Sequence, residues 1–395
     1  MPTPRGGKPG GIVRHHRRYS KMPIPDIGID GIDRVKRFLA VGEIRKGSHE
    51  PSALFGNAEK ELKVLPRGQI PAIRKYLLDV LLGKLPAGKR WRGNSAALLS
   101  HMKTKAVFNA FKKILLDPDA HNYARVSCAL YLGEFKTEEA GNVLLNLLKR
   151  ERNPHVVGAA LEGLGRTGIK KYGSFLVSQL GHLAERSRIG AIRGIGFLRY
   201  KQGVEAILDV MNDKEQSLWV FRQCASTLGE IADEKILNGD RAFAKPYEML
   251  KSKDEQTARN GLTALILLGS KRTLVPLLIT MIHPRFAKDA EFGMYRYLKR
   301  KPKELALDLG KIFTKTSMPE IKAAVCAVLL LDEAPHQISS GLVSVLGKHG
   351  IKWHPGFGIA PGVFFILDLL KKEPSLEQEF AEAIKSGVTR LKKEK

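Results

Sequence analysis

The residues of this sequence that could do chemistry are mostly cations. Arg14, Arg17, Arg18 and Lys21 cluster in RHHRRYSK, with Tyr19 among them. Lys89, Arg90 and Arg92 surround Trp91 in PAGKRWRGNS. Arg125, Arg188, Arg193, Arg222 and Arg259 then recur at intervals, followed by Arg296 and Lys322. Guanidinium and ammonium groups spaced along one face can hold successive phosphates. A tryptophan between arginines can stack on a base while they grip the backbone. Each signal has a plainer reading: Trp91 anchoring its loop, and half the cations pairing with acids of a neighbouring segment. Arg125 and Arg188 share a register, each eight residues before a glycine, whereas Arg222 is seven before and Arg259 ten.

The charge balance supports an anionic partner. The 395 residues hold 66 Lys or Arg against 40 Asp or Glu, a formal net charge of +26. Through Lys113 the count is 24 against 8, and in the remaining 282 residues 42 against 32. The excess therefore lies towards the start. Such a field suits nucleic acid, a ribonucleoprotein surface or an acidic membrane. A generally basic cellular background is the alternative.

Other chemistry finds little support. His101, His121, His155, His182 and His283 are dispersed, and none carries the Cys, Asp or Glu spacing of a zinc site. GGKPGG near the start lacks the strand and helix that flank a phosphate-binding loop, and no HExxH motif occurs. Cys128, Cys224 and Cys326 fall in apolar runs and read as small core residues. No catalytic residue, metal or cofactor is expected. The start, MPTPRGGKPGG, does not resemble a signal peptide, and no uncharged run reaches membrane-spanning length. A cytoplasmic or otherwise intracellular location is expected, with a reducing environment.

Four segments position the recurring cations: YARVSCALYLG, PHVVGAALEGLG, SRIGAIRGIG and VFRQCASTLG. They close on Gly133, Gly165, Gly196 and Gly229. Each is a helix-length apolar run with small residues, and another apolar run lies between each pair. A period of about 32 residues with two helices per unit predicts a stack in which each pair is stabilised by its neighbours. The closing glycines are expected to end their helices in the left-handed conformation. Between Gly229 and Gly269 the period stretches, around ADEKILNGDRAFAKP.

Four regions follow. Residues 1–30 read as a basic flexible tail and 31–103 as a basic helical or irregular region, with Pro86–Ser95 a loop. Residues 104–335 read as the repeat solenoid and 336–395 as a helical cap with an irregular loop around Trp353. The last helix, with Leu376, Phe380, Ala383 and Ile384 on one side, is amphipathic enough to cap the stack or to touch a membrane surface.

The repeated inner segments, as in YARVSCALYLGEF and VFRQCASTLGEI, resemble HEAT-type repeats over roughly residues 104–335. The resemblance implies an all-α fold: a right-handed α-solenoid of about seven HEAT-like helix pairs, with a basic, partly disordered N-terminal extension. It also implies that the inner helices line a concave surface. Enzymes built on this scaffold fit less well. The lysine hydroxylases need repeated His-Glu pairs, and the sole pair here is His49-Glu50, outside the repeats. Bilin lyases share the scaffold without a short motif that this chain displays. Alkylpurine DNA glycosylases need an aromatic and an acidic residue in a basic channel, for which Trp219, Asp213 and Arg222 supply the residue types. The expected function is a non-catalytic scaffold binding nucleic acid, with RNA or a ribonucleoprotein ahead of DNA. A scaffold for an acidic protein partner and a DNA glycosylase are the alternatives.

Overall fold

The computed structural model describes residues 35–36, 38–39, 60, 62–65, 67–85, 87, 89–283, 285–353 and 359–393. The basic tail of residues 1–30 lies outside them. Among the described residues all regular structure is helical.

Helix α1 (Ile70–Leu81) and α2 (Lys89–Leu99) form a first pair. Seven more pairs follow: α3 (Lys105–Leu116) and α4 (Asn122–Leu132), α5 (Glu138–Leu148) and α6 (Pro154–Arg166), α7 (Gly173–Ser178) and α8 (Glu185–Leu198), and α9 (Val204–Asn212) and α10 (Leu218–Ile231). A one-turn α11 (Glu234–Leu237) precedes α12 (Asp240–Leu250) and α13 (Glu255–Leu268). Then come α14 (Leu274–Ile282) and α15 (Ala287–Arg300), and α16 (Pro302–Lys315) and α17 (Pro319–Leu329). Three helices close the chain: α18 (His336–Lys348), α19 (Ile359–Lys372) and α20 (Ser375–Lys393). This is an all-α, helix-pair repeat architecture, consistent with a right-handed solenoid.

Local chemistry sets the boundaries. Thr104, Thr137, Ser217 and Asp254 each place a side-chain oxygen on a backbone N–H of the first helical turn. That satisfies a donor the helix itself leaves free. Asn153 does the same for His155 and Val156. The second helix of each pair stacks on the second helix of the next, so that α2, α4, α6, α8, α10, α13 and α15 form one inner series. The apolar faces of both layers merge into a core in which Leu144, Leu161, Ile192, Cys224 and Leu265 are all fully buried. Cys128, Cys224 and Cys326 are free thiols in that interior, and burial pushes the Cys224 thiol up to about 12.

The repeat glycines do something other than cap. Gly165, Gly196 and Gly229 lie inside their helices, and Gly133 follows α4 with φ −60°. Of the period-marking glycines, Gly269 alone takes the left-handed conformation, with φ +64°. Gly133, Gly165 and Gly229 are needed for proximity, whereas Gly196 faces only side chains, the nearest that of Thr227, 3.2 Å from where its Cβ would stand. A Cβ on Gly133 would stand 2.0 Å from the carbonyl oxygen of Gly163, and one on Gly229 would stand 2.1 Å from that of Leu267. Inner helices therefore meet backbone to backbone, which a side chain would prevent.

Three other expectations change. The stretch from Pro86 to Ser95 is helical from Lys89 onward, because Ala96, Ala97, Leu98 and Leu99 bury completely and extend the segment into α2. The inner series consequently starts one pair before residue 104, and Asn94 ties it to the chain upstream by donating to the Leu39 carbonyl at 2.9 Å. At the other end, α17 packs mainly on α14 and α19, so strict stacking of inner on inner does not continue past α15. Finally, Leu376, Phe380 and Ile384 of α20 are buried, with α20 packed on α16 and α18. The apolar side considered for a membrane surface is thus occupied by the protein's own core.

Candidate nucleic-acid interface

The inner helices α4, α6 and α8 line an open groove of about 660 Å³, with Arg90 of α2 at one end. Arg186 and Arg193 of α8, His121 just before α4, and His155 of α6 also face it. The α6–α8 contact beneath is tight because glycine meets glycine: a Cβ on Gly190 would stand 2.1 Å from the Gly158 carbonyl oxygen. The lining accordingly includes the small residues Gly158, Ala159 and Gly190, beside the apolar Val126, Leu130 and Ile189.

Charge in the groove is uneven. Among the described residues its one acidic lining residue is Glu162, and this carboxylate is already engaged. Arg166 donates to Glu162 Oε1 from Nε at 3.2 Å and Nη2 at 2.8 Å, and Arg193 Nη1 lies 3.6 Å from Oε2. Arg166 also reaches back to Glu134 at 2.8 Å, and Arg193 donates to Gln223 Oε1 at 2.9 Å. One line of polar side chains thus crosses three inner-helix interfaces, from the end of α4 to α10. The Arg166 guanidinium also lies 4.0 Å from the centroid of the Phe197 ring. Buried charges persist only when paired and hydrogen-bonded, and here the two acids and two arginines balance.

Arg90 stands near Tyr123. Burial pushes the Tyr123 phenol up, and the Arg90 charge partly pulls it back. Tyr123 in turn donates to Asn94 Oδ1 at 3.3 Å. On the far side, the Arg186 guanidinium sits 5.6 Å from the centroid of the Trp219 ring, whose residue is 53% exposed. Trp219 opens α10, so the basic surface continues one pair further and ends on an exposed aromatic face.

The cations singled out from sequence separate into groups. Arg14, Arg17, Arg18 and Lys21 lie outside the described residues, and Lys89 is described only as the first residue of α2. Arg90 and Arg193 share the groove. Trp91 is half-buried and packs on the core, and the Arg92 guanidinium lies against the backbone at Gly83. Arg222 is exposed on α10. Arg259 pairs with Glu255 and Asp289.

The common register of Arg125 and Arg188 serves the fold. Arg125 is buried, paired with Glu151, and donates to the Leu115 carbonyl at 3.3 Å. Arg188 donates to the carbonyls of His182 at 2.8 Å and Leu183 at 2.9 Å. Each satisfies carbonyls at the end of the outer helical segment of its own pair, groups a helix cannot satisfy internally. Arg125 therefore turns inward and does not reach the groove.

Arg186, His121 and His155 are not singled out as binding residues by the sequence, and Trp219 enters there only as the aromatic candidate of a glycosylase channel. Arg186 has the one available signal, since like Arg90 it precedes an inner run. The trio considered for a glycosylase does not converge on one cavity. Asp213 lines a depression on the outer layer, and its carboxylate accepts from Gln216 at 2.7 Å and from the Glu215 N–H at 3.0 Å. Among the described residues, no group of three His, Cys, Asp or Glu is placed to hold a metal ion, and no helix is long and apolar enough to cross a membrane.

No protein-family profile matches the chain, and no curated protein matches it in sequence. Among solved structures, it is similar to the complex of CpcE and CpcF of phycocyanin lyase from Nostoc sp. PCC7120. The identity is 20%, over 56% of this chain and 89% of that one, with a TM-score of 0.31. It is also similar to an engineered protein, at 16% identity over 92% of this chain and 99% of that one, with a TM-score of 0.35. Likenesses at this level say nothing of activity. The helix packing itself defines the class, an all-helical repeat protein resembling HEAT and armadillo-like solenoids.

Proposed function

We propose that this chain is a non-catalytic scaffold that binds nucleic acid along the α4–α6–α8 groove. The observation that carries this reading is the charge imbalance there: Arg90 and Arg186 face the groove, while its one carboxylate among the described residues, Glu162, is already engaged by Arg166 and Arg193. Arg222 extends the cationic surface, and Arg14, Arg17, Arg18, Lys21 and Lys89 add to it from upstream. Arg125, Arg188, Arg193 and Arg259 are left out of the contact set, because each is committed to protein acceptors. RNA or a ribonucleoprotein is preferred to duplex DNA, because exposed Trp219 offers a stacking face to an unpaired base.

Titration of single-stranded RNA and duplex DNA oligonucleotides tests the reading. Binding through phosphates weakens steeply with salt, by about ten- to a hundredfold between roughly 50 and 200 mM for three or four contacts. Single-stranded RNA is expected to bind more tightly than the duplex. An affinity indifferent to salt overturns the reading. Recovery of the same acidic protein partner from lysate with and without nuclease would point instead to protein scaffolding.

A further inference from the structure

A second cleft, of about 180 Å³, opens beside α11, where the repeat is longest. It shares no lining residue with the basic groove, and its chemistry differs. Leu237, Leu274 and Leu305 are buried in its wall. The acids around it are matched. Lys271 lies 3.0 Å from Glu234 and 3.5 Å from Asp308, Lys311 lies 3.1 Å from Asp308, and Lys301 lies 3.0 Å from Glu304.

Two donors are not matched. Arg296, half-buried on α15, makes no ion pair or hydrogen bond among the described residues. Ser270 is 1% exposed and its Oγ has no partner, although its own carbonyl accepts from Tyr297 and Thr273 at 2.6 Å each. A buried hydroxyl without a partner is costly, and a guanidinium above an apolar wall lacks the planar acceptor it fits best. What the cleft is missing is therefore an anion, and its walls ask for an apolar body behind the charge.

We propose that this cleft binds a small organic carboxylate with an apolar body. The carboxylate faces the Arg296 guanidinium and the Ser270 hydroxyl, and the body lies on Leu237, Leu274 and Leu305. The proposal is independent of nucleic-acid binding at the other groove.

The test is calorimetric titration of the full chain with benzoate, 4-methylvalerate and inorganic phosphate, each to about 10 mM, where a millimolar binder saturates. Saturable binding is expected for at least one carboxylate and not for phosphate. Arg296→Gln should weaken it by about ten- to a hundredfold, the worth of a charge-assisted contact. Ser270→Ala should weaken binding severalfold while leaving the thermal midpoint of the ligand-free protein equal or higher, since it removes an unpartnered polar atom. Arg222→Gln should leave binding unchanged. No saturable carboxylate binding, equal binding of phosphate, or an unchanged affinity in Arg296→Gln overturns the proposal.

Discussion

The Cβ that Gly165 lacks would stand 2.1 Å from the carbonyl oxygen of Gly194 on the neighbouring inner helix. Neither side can yield cheaply, since the Cβ is fixed to one helix backbone and the oxygen belongs to another. Gly165→Ala should therefore destabilise the protein by about 1–3 kcal/mol, the range for overfilling a packed interior. Alanine ordinarily stabilises a helix interior by about 1 kcal/mol over glycine, so the expected sign is reversed here. Gly347→Ala is the control. Gly347 lies in α18 with nothing within 4 Å of its missing Cβ, and alanine there should stabilise by about 0.5–1 kcal/mol. Urea midpoints read both, and a Gly165→Ala midpoint at or above the parent's would refute the close-approach account.

Arg166 makes the second prediction. Its side chain is 5% exposed and joins Glu162 and Glu134, which are 8% and 14% exposed. Arg166→Leu takes the paired guanidinium from Glu134 and leaves Glu162 with only Arg193, at 3.6 Å. Breaking a buried pair in this way costs about 3–5 kcal/mol. Adding Glu162→Gln to that variant should cost less than the same change in the parent, a coupling of about 1 kcal/mol or more. Additive losses in a double-mutant cycle would place the stabilisation elsewhere.

Much of this fold is legible in the sequence, for a physical reason. A helix pair that cannot stand alone must repeat its apolar pattern, and repetition shows without side-chain detail. What the pattern conceals is why a residue recurs. The glycines at Gly165 and Gly229 look like helix ends because they follow apolar runs, yet their positions are set by the neighbouring helix. Arg125 and Arg188 look like a ligand-facing ladder because they share a register, yet that register aims them at carbonyls of their own pair. Around Trp91 the Gly and Pro content suggests a loop, and the buried Ala96–Leu99 segment overrides it. The groove was partly visible through Arg90 and Arg193. Arg186 needed Trp219, 33 residues away, before its place was evident.

The groove gives the third prediction. Arg90→Gln and Arg186→Gln should each weaken RNA binding and lower the slope of log affinity against log salt by about 0.7, the value for one phosphate contact on a single strand. Trp219→Ala should cost about 1–3 kcal/mol if a base stacks there. That loss should depend little on salt, which separates stacking from phosphate contact. Arg241→Gln is the control, because Arg241 pairs with Glu205 and Asp209 on the outer layer. Fluorescence anisotropy with labelled RNA at several salt concentrations measures all four. Equal losses in Arg186→Gln and Arg241→Gln would mean that net charge, and not the groove, governs binding.

Glu151 links the fold to pH. Burial pushes its carboxyl up, but the Asn153 N–H at 2.8 Å, the Arg125 guanidinium and the Arg152 N–H at 3.0 Å outweigh that. They hold it below its ordinary value of 4.5. A carboxyl depressed in the folded state contributes stability that is complete above the unfolded value. The contribution is lost as pH falls through the folded value, because only the unfolded chain binds the proton in between. Stability should therefore decline as pH drops below about 4.5. Glu151→Gln should be less stable than the parent at pH 7 by about 2 kcal/mol, since it removes the charge from bonds that Arg125 and the backbone donate. Below about 4.5 the unfolded parent takes up a proton at this carboxyl and the advantage shrinks, so the difference should narrow towards pH 3. Urea midpoints of both proteins at pH 7 and pH 3 decide it. A difference that stays constant across that range would show that proton uptake at Glu151 does not contribute to the acid sensitivity of the α3–α6 region.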